Sequence, residues 1–409
     1  MSKVKNLKKL YDASLQEGKS LSDYTNSVRS ACGIKITEEG MKNDADKQIL
    51  DPKGISFQEV AYEFLGPDYG RKLLERNRMQ EVSGGMVTPG TFSNTNGFDA
   101  TAFGLLDALI LEGFNAPYFM WEDFVTVEQT RTNGGKAIRA YNDEFTGVGL
   151  APGEEAPAVG LKEGWVTRNP NIRRAHKVQV LLESILYDHT DTIQQSAFDS
   201  GVKIANAIET HVARTVLGVD NTYVRDGTSG NTYLTAKGTG VMAYKNSEPN
   251  ALATYQNVQT AMATLCGNVD PYTQIPIMVD VSKMTVVVPM AKIYDAKTIL
   301  HASQIFAGSS VNADFVNRFS ANPLEADYGI KASPIWDAVN VAGSKSYFSW
   351  AFGEFKKALG YRQLVPFSTI STPLGPKEVT SNVALCVYCQ EIGAVYVKEP
   401  RYTYIATTQ

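Results

Sequence analysis

The chain has 409 residues, 43% of them hydrophobic and 20% charged, with a formal net charge of −4 at pH 7. This length allows two or three modest domains or one elongated mixed fold, and the globular composition excludes disorder over most of the chain. The weakly acidic charge argues against a nucleic-acid-binding protein. No apolar stretch is long enough to predict a transmembrane helix, and no apolar run follows the basic N-terminus as in a secretory signal.

The four cysteines, Cys32, Cys266, Cys386 and Cys389, are few and scattered for a chain of this length. Such usage favours a reducing compartment and no disulfide framework. Cys386 and Cys389 form a C-x-x-C pattern, but a zinc site needs a second pair or histidines at ligand spacing. The pair lies in a predicted strand, where positions three apart face opposite sides, so we interpret both as small buried side chains.

The sequence contains no phosphate-binding glycine-rich loop, no dinucleotide fingerprint and no nucleophile elbow. His189 lies between Asp188 and Asp191 at the start of a predicted helix, where acidic residues favour the helix dipole. We therefore predict no catalytic residue, no bound cofactor and no metal site, and hence a protein that is not an enzyme. The histidines are His176, His189, His211 and His301.

Residues 1–98 are predicted to be a charged helical segment. Ser56-Phe57-Gln58-Glu59 fits a capping box, Gly66-Pro67 ends the helix that follows it, and a second short helix comes next. Residues 83–97, which are rich in glycine and serine, indicate a connector. The segment is interpreted either as an arm or as an ordinary helical subdomain, and the sequence favours neither.

An amphipathic helix is predicted over residues 101–113. The next stretch, residues 124–182, contains two predicted strands, Lys136–Tyr141 and Lys177–Leu182, separated by a long segment rich in glycine, proline and charge. Loops of this length are uncommon in compact domains, and this one has too few apolar residues for a core of its own. If it forms an extended hairpin, a neighbouring subunit is the natural surface to support it.

A narrow apolar stripe recurs every three or four residues from Asp191 to Leu217, with no proline. It predicts a helix of roughly 40 Å that packs along one extended surface. Gly218 is predicted to end this helix.

Residues 219–248 are rich in turns and predict hairpins. Helices are predicted over residues 250–266 and 290–301, and a buried strand over residues 284–288 precedes the second of them. The C-terminal part is predicted to be rich in strands, with a final hairpin at Glu391-Ile392-Gly393. The mixture of elements predicts an α+β fold.

The order of these parts resembles the capsid fold named after phage Hong Kong 97, over residues 100–406. Proteins of that fold have an N-terminal arm, a protruding hairpin called the E-loop, a long spine helix in a peripheral domain, and an axial α/β domain. The patterns that carry the resemblance are segment 128–176, the strand and helix of residues 176–218, the strand and helix MTVVVPMAKIYDAKTIL of residues 284–300, and the C-terminal stretches 345–367 and 382–405.

This resemblance implies a Hong Kong 97-like arrangement with the following boundaries. The parts are an N-terminal helical arm at 1–98, a linking helix at 99–127, the E-loop with its flanking strands at 128–182, the spine helix and a hairpin insertion of the peripheral domain at 183–248, the axial domain, with strands returning to the peripheral domain, at 249–375, and C-terminal strands at 376–409.

The resemblance also implies a major capsid protein of a tailed phage, assembling into hexamers and pentamers that form an icosahedral shell around a double-stranded DNA genome. Implied partners are further copies of the chain and packaged DNA, bound without sequence specificity; scaffolding, portal and decoration proteins are further candidates, and a membrane is not. The implied location is the virion, after assembly in the bacterial host cytoplasm. Two interpretations stay open: an encapsulin-type bacterial nanocompartment shell, and a two-domain enzyme or ligand-binding protein with residues 142–176 as a lid.

Charged residues of the E-loop region are the candidate interface residues, because complementary charges fix the register between subunits. The Hong Kong 97 protein itself joins an E-loop lysine to a neighbour's asparagine with the help of a glutamate. Lys136 and Lys162 lie in the corresponding segment here, but nothing in the spacing selects them, and we interpret them as solvated or ion-paired charges. The candidates are Arg131, Lys136, Arg139, Glu154, Glu155, Lys162, Arg168, Arg173 and Arg174.

Overall fold

Helices and sheets are mixed along the chain, which confirms the predicted α+β class. The structure is a computed structural model that describes residues 3–37, 40–43, 48–82, 94–133, 135–142, 161–272, 275–301, 304–306, 319–321, 328–342, 348–371 and 382–407. Most of the predicted connector at 83–97 and the centre of the predicted E-loop lie outside these ranges.

The helices of the described chain range from one turn to 27 residues. They are α1 (Lys3–Gln16), α2 (Leu21–Ala31), α3 (Phe57–Leu65), α4 (Tyr69–Val82), α5 (Asn94–Phe114), α6 (Leu182–Leu186), α7 (Thr190–Val216), α8 (Tyr255–Cys266), α9 (Ile293–Leu300), α10 (Pro334–Ala342) and α11 (Phe355–Ala358).

The strands of the described chain are mostly short, and the two longest lie near the C-terminus. They are β1 (Ile34–Thr37), β2 (Gly40–Asn43), β3 (Thr126–Gln129), β4 (Lys136–Asn142), β5 (Leu161–Thr167), β6 (Ile172–Leu181), β7 (Tyr223–Arg225), β8 (Thr228–Gly230), β9 (Ser247–Pro249), β10 (Thr285–Val287), β11 (Gln304–Phe306), β12 (Phe319–Ala321), β13 (Gly329–Lys331), β14 (Phe348–Gly353), β15 (Leu359–Ser371), β16 (Val383–Val397) and β17 (Thr403–Thr407).

The chain divides into two compact units, each built from three stretches. Unit 1 comprises Met1–Phe119, Ile172–Ala207 and Val365–Gly393, and unit 2 comprises Met120–Asn171, Ile208–Leu364 and Ala394–Gln409.

In unit 1 the N-terminal helices pack against α5 of the same chain. Tyr24 of α2 is fully buried, and its hydroxyl lies 2.7 Å from that of Thr101 in α5. Arg29 forms an ion pair of 2.6 Å with Asp107, which is almost fully buried. These contacts bury part of the apolar surface of the N-terminal helices within unit 1, and the choice between arm and subdomain stays a prediction.

Helix α3 has the ends that the sequence predicts. The Ser56 hydroxyl accepts hydrogen bonds from the backbone N–H groups of Gln58 and Glu59, as an N-cap does. Gly66, with φ of 82°, ends the helix in a conformation that glycine adopts without strain.

Helix α5 is buried on all its faces, so the predicted amphipathic character was wrong. Leu109 and Leu111 lie on nearly opposite sides of the helix, and each is only 1% exposed. Helices α2 and α3 both pack along α5, which explains why the polar face of an ordinary surface helix is missing.

Helix α7 confirms the predicted long helix to within one residue at each end. In unit 1 it crosses α5 at two glycines, Gly113 and Gly201. A methyl group built on Gly201 would overlap the backbone carbonyl oxygen of Ile110, and one on Gly113 would overlap that of Phe198. The two backbones thus touch directly, which only glycine permits.

Strand β16 runs unbroken through Glu391-Ile392-Gly393, so the predicted hairpin there was wrong. In unit 1 it pairs antiparallel with β6, from Val383 opposite Leu181 to Gly393 opposite Ile172. Glu391 is completely buried and forms an ion pair of 3.0 Å with Arg174 on β6. That internal pair allows a charged residue to continue a buried strand.

The two cysteines of the C-x-x-C pattern lie in this part of β16, and both are buried, as predicted. The Cys389 thiol donates to the backbone carbonyl of His176 at 3.3 Å. Burial raises the pKa of the Cys389 thiol to about 11, so it stays a neutral packing group at physiological pH.

Unit 2 has its main core on a five-stranded sheet with the strand order β13-β10-β14-β17-β9. Helices α8 and α9 contribute Val258, Leu265 and Leu300 to this core, which also includes the fully buried Trp350 and Phe352 of β14. The predicted strand at 284–288 and the helix that follows it are confirmed as β10 and α9.

Candidate subunit interface

Strands β4 and β5 form an antiparallel ribbon in unit 2, with pairs from Lys136 and Thr167 at its base to Asn142 and Leu161 at its far end. Within the described chain, this ribbon pairs with a further strand only at its base, where Val166 lies opposite Arg225 of β7. An isolated two-stranded ribbon is marginally stable in water. The far part of the ribbon therefore needs support that strand pairing within the described chain does not supply.

The base of the ribbon is fixed to the short hairpin formed by β7 and β8. The backbone N–H of Trp165 donates to the carboxylate of Asp226 at 2.7 Å, and the N–H of Asp226 donates to the Trp165 carbonyl at 2.9 Å. Asp226 and Gly227 have φ of 50° and 80°, values typical of the tight turn that joins two antiparallel strands.

Two segments lead into the ribbon, residues 130–133 and 168–171, and both are tied to β15 in unit 2. The N–H of Thr130 donates to the carbonyl of Gln363 at 2.9 Å. The guanidinium of Arg362, which is 1% exposed, donates from Nε and Nη2 to Oδ1 of Asn171 at 3.0 and 2.9 Å. Burial, together with the nearby Arg168, lowers the pKa of Arg362.

The carboxylate of Glu128, on β3, is the acceptor of a charged cluster at the base of the ribbon. It accepts from Tyr396 Oη at 2.5 Å, Lys398 Nζ at 2.6 Å and Arg168 Nη2 at 3.2 Å. Burial raises the pKa of Glu128, but hydrogen bonds from Lys398 and Tyr396 and the charges of Lys398 and Arg168 outweigh burial, so the pKa is lowered. We call Glu128, Arg168, Tyr396 and Lys398 the Glu128 cluster.

Three of the predicted interface residues lie on or beside the ribbon with described side chains. Arg131 is exposed in the segment that leads to β4. The ammonium group of Lys136 lies 4.1 Å from the centre of the Trp165 ring on the paired strand, which is a cation–π contact. Arg168 belongs to the Glu128 cluster, and its guanidinium also stacks over the Tyr396 ring.

Two further candidates lie on β6 in unit 1 and differ from each other. Arg173 is exposed, and its guanidinium donates to the Tyr388 hydroxyl at 2.7 Å. Arg174 is 8% exposed because its side chain turns inward to Glu391, so its charge is neutralised inside unit 1. Neighbouring positions of a strand face opposite sides of the sheet, which separates these two arginines.

The remaining candidates are placed only in part or not at all. Arg139 lies in β4 opposite Gly164, and Lys162 lies in β5 opposite Tyr141. Glu154 and Glu155 lie outside the described residues. A role for any of the nine candidates in contacts between subunits stays a prediction.

Sequence reasoning missed the acceptor and two donors of the Glu128 cluster, and it also missed Arg362. The available signal was a charged residue inside or directly after an apolar strand, as in LGYRQLV around Arg362 and GAVYVKEP around Lys398. Such a charge requires a partner when the strand is buried, but the sequence does not say which residue supplies it.

Among the residues that the structure describes, no group of three or more His, Cys, Asp or Glu side chains is placed to hold a metal ion. None of the described helices combines the length and the apolar character needed to cross a membrane.

The chain was compared with known proteins. No family model and no curated protein matches it. Among solved structures, the capsid of the cyanophage P-SCSP1u is 13% identical with a TM-score of 0.45, covering 71% of this chain and 88% of that one. The capsid of a native GTA particle is 10% identical with a TM-score of 0.42 (70% and 88% covered), and a virus-like particle from Pyrococcus furiosus is 11% identical with a TM-score of 0.39 (74% and 97% covered). The solved structures to which this chain is similar therefore include a phage capsid and two other particles.

Proposed function

We propose that this protein is the major capsid protein of a tailed phage, with a structural and not a catalytic role. Copies of the chain assemble into hexamers and pentamers, and these close into an icosahedral shell around a double-stranded DNA genome. The shell belongs to the virion and is assembled in the cytoplasm of the bacterial host.

The observation that carries this proposal is the ribbon of β4 and β5. Its described residues pair with a further strand only near Val166, so its outer part gains little from its own sheet. A surface on a second copy would supply the missing support. The ordered base favours this role, because the Glu128 cluster and Arg362 hold the root of the ribbon while its far end projects from that root.

Assembly of this kind is stabilised by area buried at several contacts for each subunit. A standard contact buries on the order of 1,600 Å² in total, so several contacts add up even where each is weak. Exposed charges, such as Arg131 beside the ribbon in unit 2 and Arg173 on β6 in unit 1, would fix the register of neighbours more than the affinity. The other partners proposed are scaffolding, portal and decoration proteins, and packaged DNA without sequence specificity.

The proposal is tested by producing the full chain alone and examining it by size-exclusion chromatography and negative-stain electron microscopy. We expect closed, shell-like particles, because each subunit carries the surfaces that join it to its neighbours. A monomer or small oligomer under all assembly conditions, with no particle in the images, would contradict the proposal and favour an enzyme or binding protein with a lid.

The contents of particles purified from the native source separate the two kinds of shell. We expect double-stranded DNA inside, released on disruption and sensitive to nuclease only afterwards. Particles that hold a cargo enzyme and no DNA would instead identify a bacterial nanocompartment.

A further inference from the structure

We propose that Glu128 is a positioning residue that holds the ribbon of β4 and β5 in the direction needed to contact a second copy of the chain. This inference rests on the proposed shell function and adds to it the residue that sets the ribbon's direction. Glu128 acts through Arg168, the first residue after β5, and needs no contact with the second copy itself.

The position of Glu128 is fixed by the sheet from which the ribbon departs. Strand β3 runs parallel to β15 in unit 2, and Glu128 lies directly opposite Arg362 in this register. Lys398 and Tyr396 reach the same carboxylate from the end of β16 and just beyond it. Three chain segments outside the ribbon, namely β3, β15 and the end of β16, therefore fix the position of the Glu128 carboxylate.

Arg168 connects this fixed acceptor to the ribbon. Its backbone N–H donates to the carbonyl of Gly135 at 3.0 Å, which closes the base of the ribbon, while its side chain reaches Glu128 at 3.2 Å and lies 5.2 Å from the centre of the Tyr396 ring. The backbone bond joins the two sides of the ribbon to each other. The side-chain contacts join the ribbon to the sheet, so they resist rotation about its base.

The second attachment lies on β5 and reaches β7, through Val166 opposite Arg225 and through the hydrogen bonds of Trp165 with Asp226. One attachment allows a ribbon to pivot, whereas attachments to two different elements, here β3 and the hairpin of β7 and β8, fix a direction. Loss of the Glu128 contact should therefore leave the fold of the subunit in place and widen the range of ribbon directions.

The test compares Glu128→Gln with Glu248→Gln. Glu248, on β9, has a similar environment without any link to the ribbon, since it accepts from Lys245 at 2.8 Å, Tyr404 at 3.2 Å and Thr264 at 3.1 Å. The measurements are the melting temperature of unassembled subunits and the yield and diameter of closed shells. We expect similar melting temperatures for both variants, and about a tenfold lower yield of shells of native diameter for Glu128→Gln alone.

Equal yields of native-size shells from the two variants would overturn the role of Glu128. If the unmodified chain forms no shells, the proposed function fails instead, and the two failures are thus distinguishable. Should Glu128→Gln not fold, Arg168→Met replaces it, because that change cuts the contact on the ribbon side and leaves Glu128 with Lys398 and Tyr396. The same comparison of shell yields then decides.

The pH response gives a second measurement. The groups that face Glu128 are Arg168, Lys398 and Tyr396, with Arg362 opposite it on β15. Because the pKa of Glu128 is lowered in the folded state, its contribution is complete above the usual pKa of a glutamate and is lost as the pH falls through the lowered value. Shell yield of the unmodified chain should fall toward that of Glu128→Gln on acidification, and an unchanging gap between them would contradict the inference.

Discussion

Replacing Glu399 by glutamine is expected to lower the free energy of unfolding of the subunit by about 3–5 kcal/mol. Glu399 lies between two arginines in unit 2, with Oε1 2.7 Å from Nη1 of Arg401 and Oε2 bound to Nη1 of Arg225. All three residues are at most 3% exposed. Glutamine would leave two buried guanidinium groups without the negative charge that they share. One of these two arginines, Arg225, also lies opposite Val166 where β7 pairs with the ribbon.

This effect is measured by urea denaturation of unassembled subunits, monitored by tryptophan fluorescence. The control is Asp123→Asn, which breaks a similarly short ion pair of 2.6 Å with Lys331 at an exposed position. Exposed pairs contribute about 0–1 kcal/mol, so this variant should resemble the unmodified chain. Equal small losses for both variants would mean that the Glu399 charge does not stabilise unit 2.

Replacing Gly201 by alanine is expected to lower the free energy of unfolding by about 3 kcal/mol or more, although alanine is the better helix former. The new methyl group would overlap the carbonyl oxygen of Ile110 and press against the backbone nitrogen of Phe114. Backbone atoms in the middle of a buried helix cannot rotate away as a side chain can. Helices α5 and α7 would have to separate, and the apolar contacts along their crossing would weaken.

The control for Gly201→Ala is Gly70→Ala in α4, where the nearest atom to the new methyl group is the end of the flexible Leu186 side chain. We expect this control to change the free energy of unfolding by about 1 kcal/mol at most, since leucine can shift and alanine favours the helix. Thermal melts and urea curves of both variants test the difference. If the Gly201→Ala variant is as stable as the control, the backbones of α5 and α7 must lie farther apart at Gly201 than in the structure.

The parts of the fold that could be predicted are those specified by local patterns. The stripe from Ile193 to Val212 specifies α7 because a long helix repeats its own signal over many turns. Ser56 and Gly66 marked the ends of α3 through capping chemistry, which acts over a few residues. Such features need no knowledge of the rest of the chain.

The parts that could not be predicted depend on partners far away in the sequence. Glu391-Ile392-Gly393 has the composition of a turn, yet it continues a strand because Arg174 neutralises Glu391 from more than two hundred positions away. The spacing of apolar residues in α5 predicted a surface helix with one polar face. Helices α2 and α3 pack along α5, so the face predicted to be polar and exposed is covered as well. Tertiary contacts override local preference in both cases.

The candidate interface was predicted as a region but not as a set of contacts. Strand β4 was predicted from its sequence, whereas β5 was not. The Glu128 cluster joins residues from β3, the segment after β5 and the end of β16. Two of the predicted charges, Arg168 and Arg174, form ion pairs within their own units. A list of charges from one segment cannot show which of them are already paired.

Strand β4 lies at the edge of its sheet in the described chain, with β5 on one side only. An open edge can add strands from other molecules without limit, and such growth produces fibres, whereas a container needs contacts that end in a closed surface. Lys136 and Arg139 occur on this edge, and charged residues there oppose edge-to-edge addition of identical strands. If the chain forms the proposed shell, charged residues on this edge would favour its closure over polymerisation into fibres.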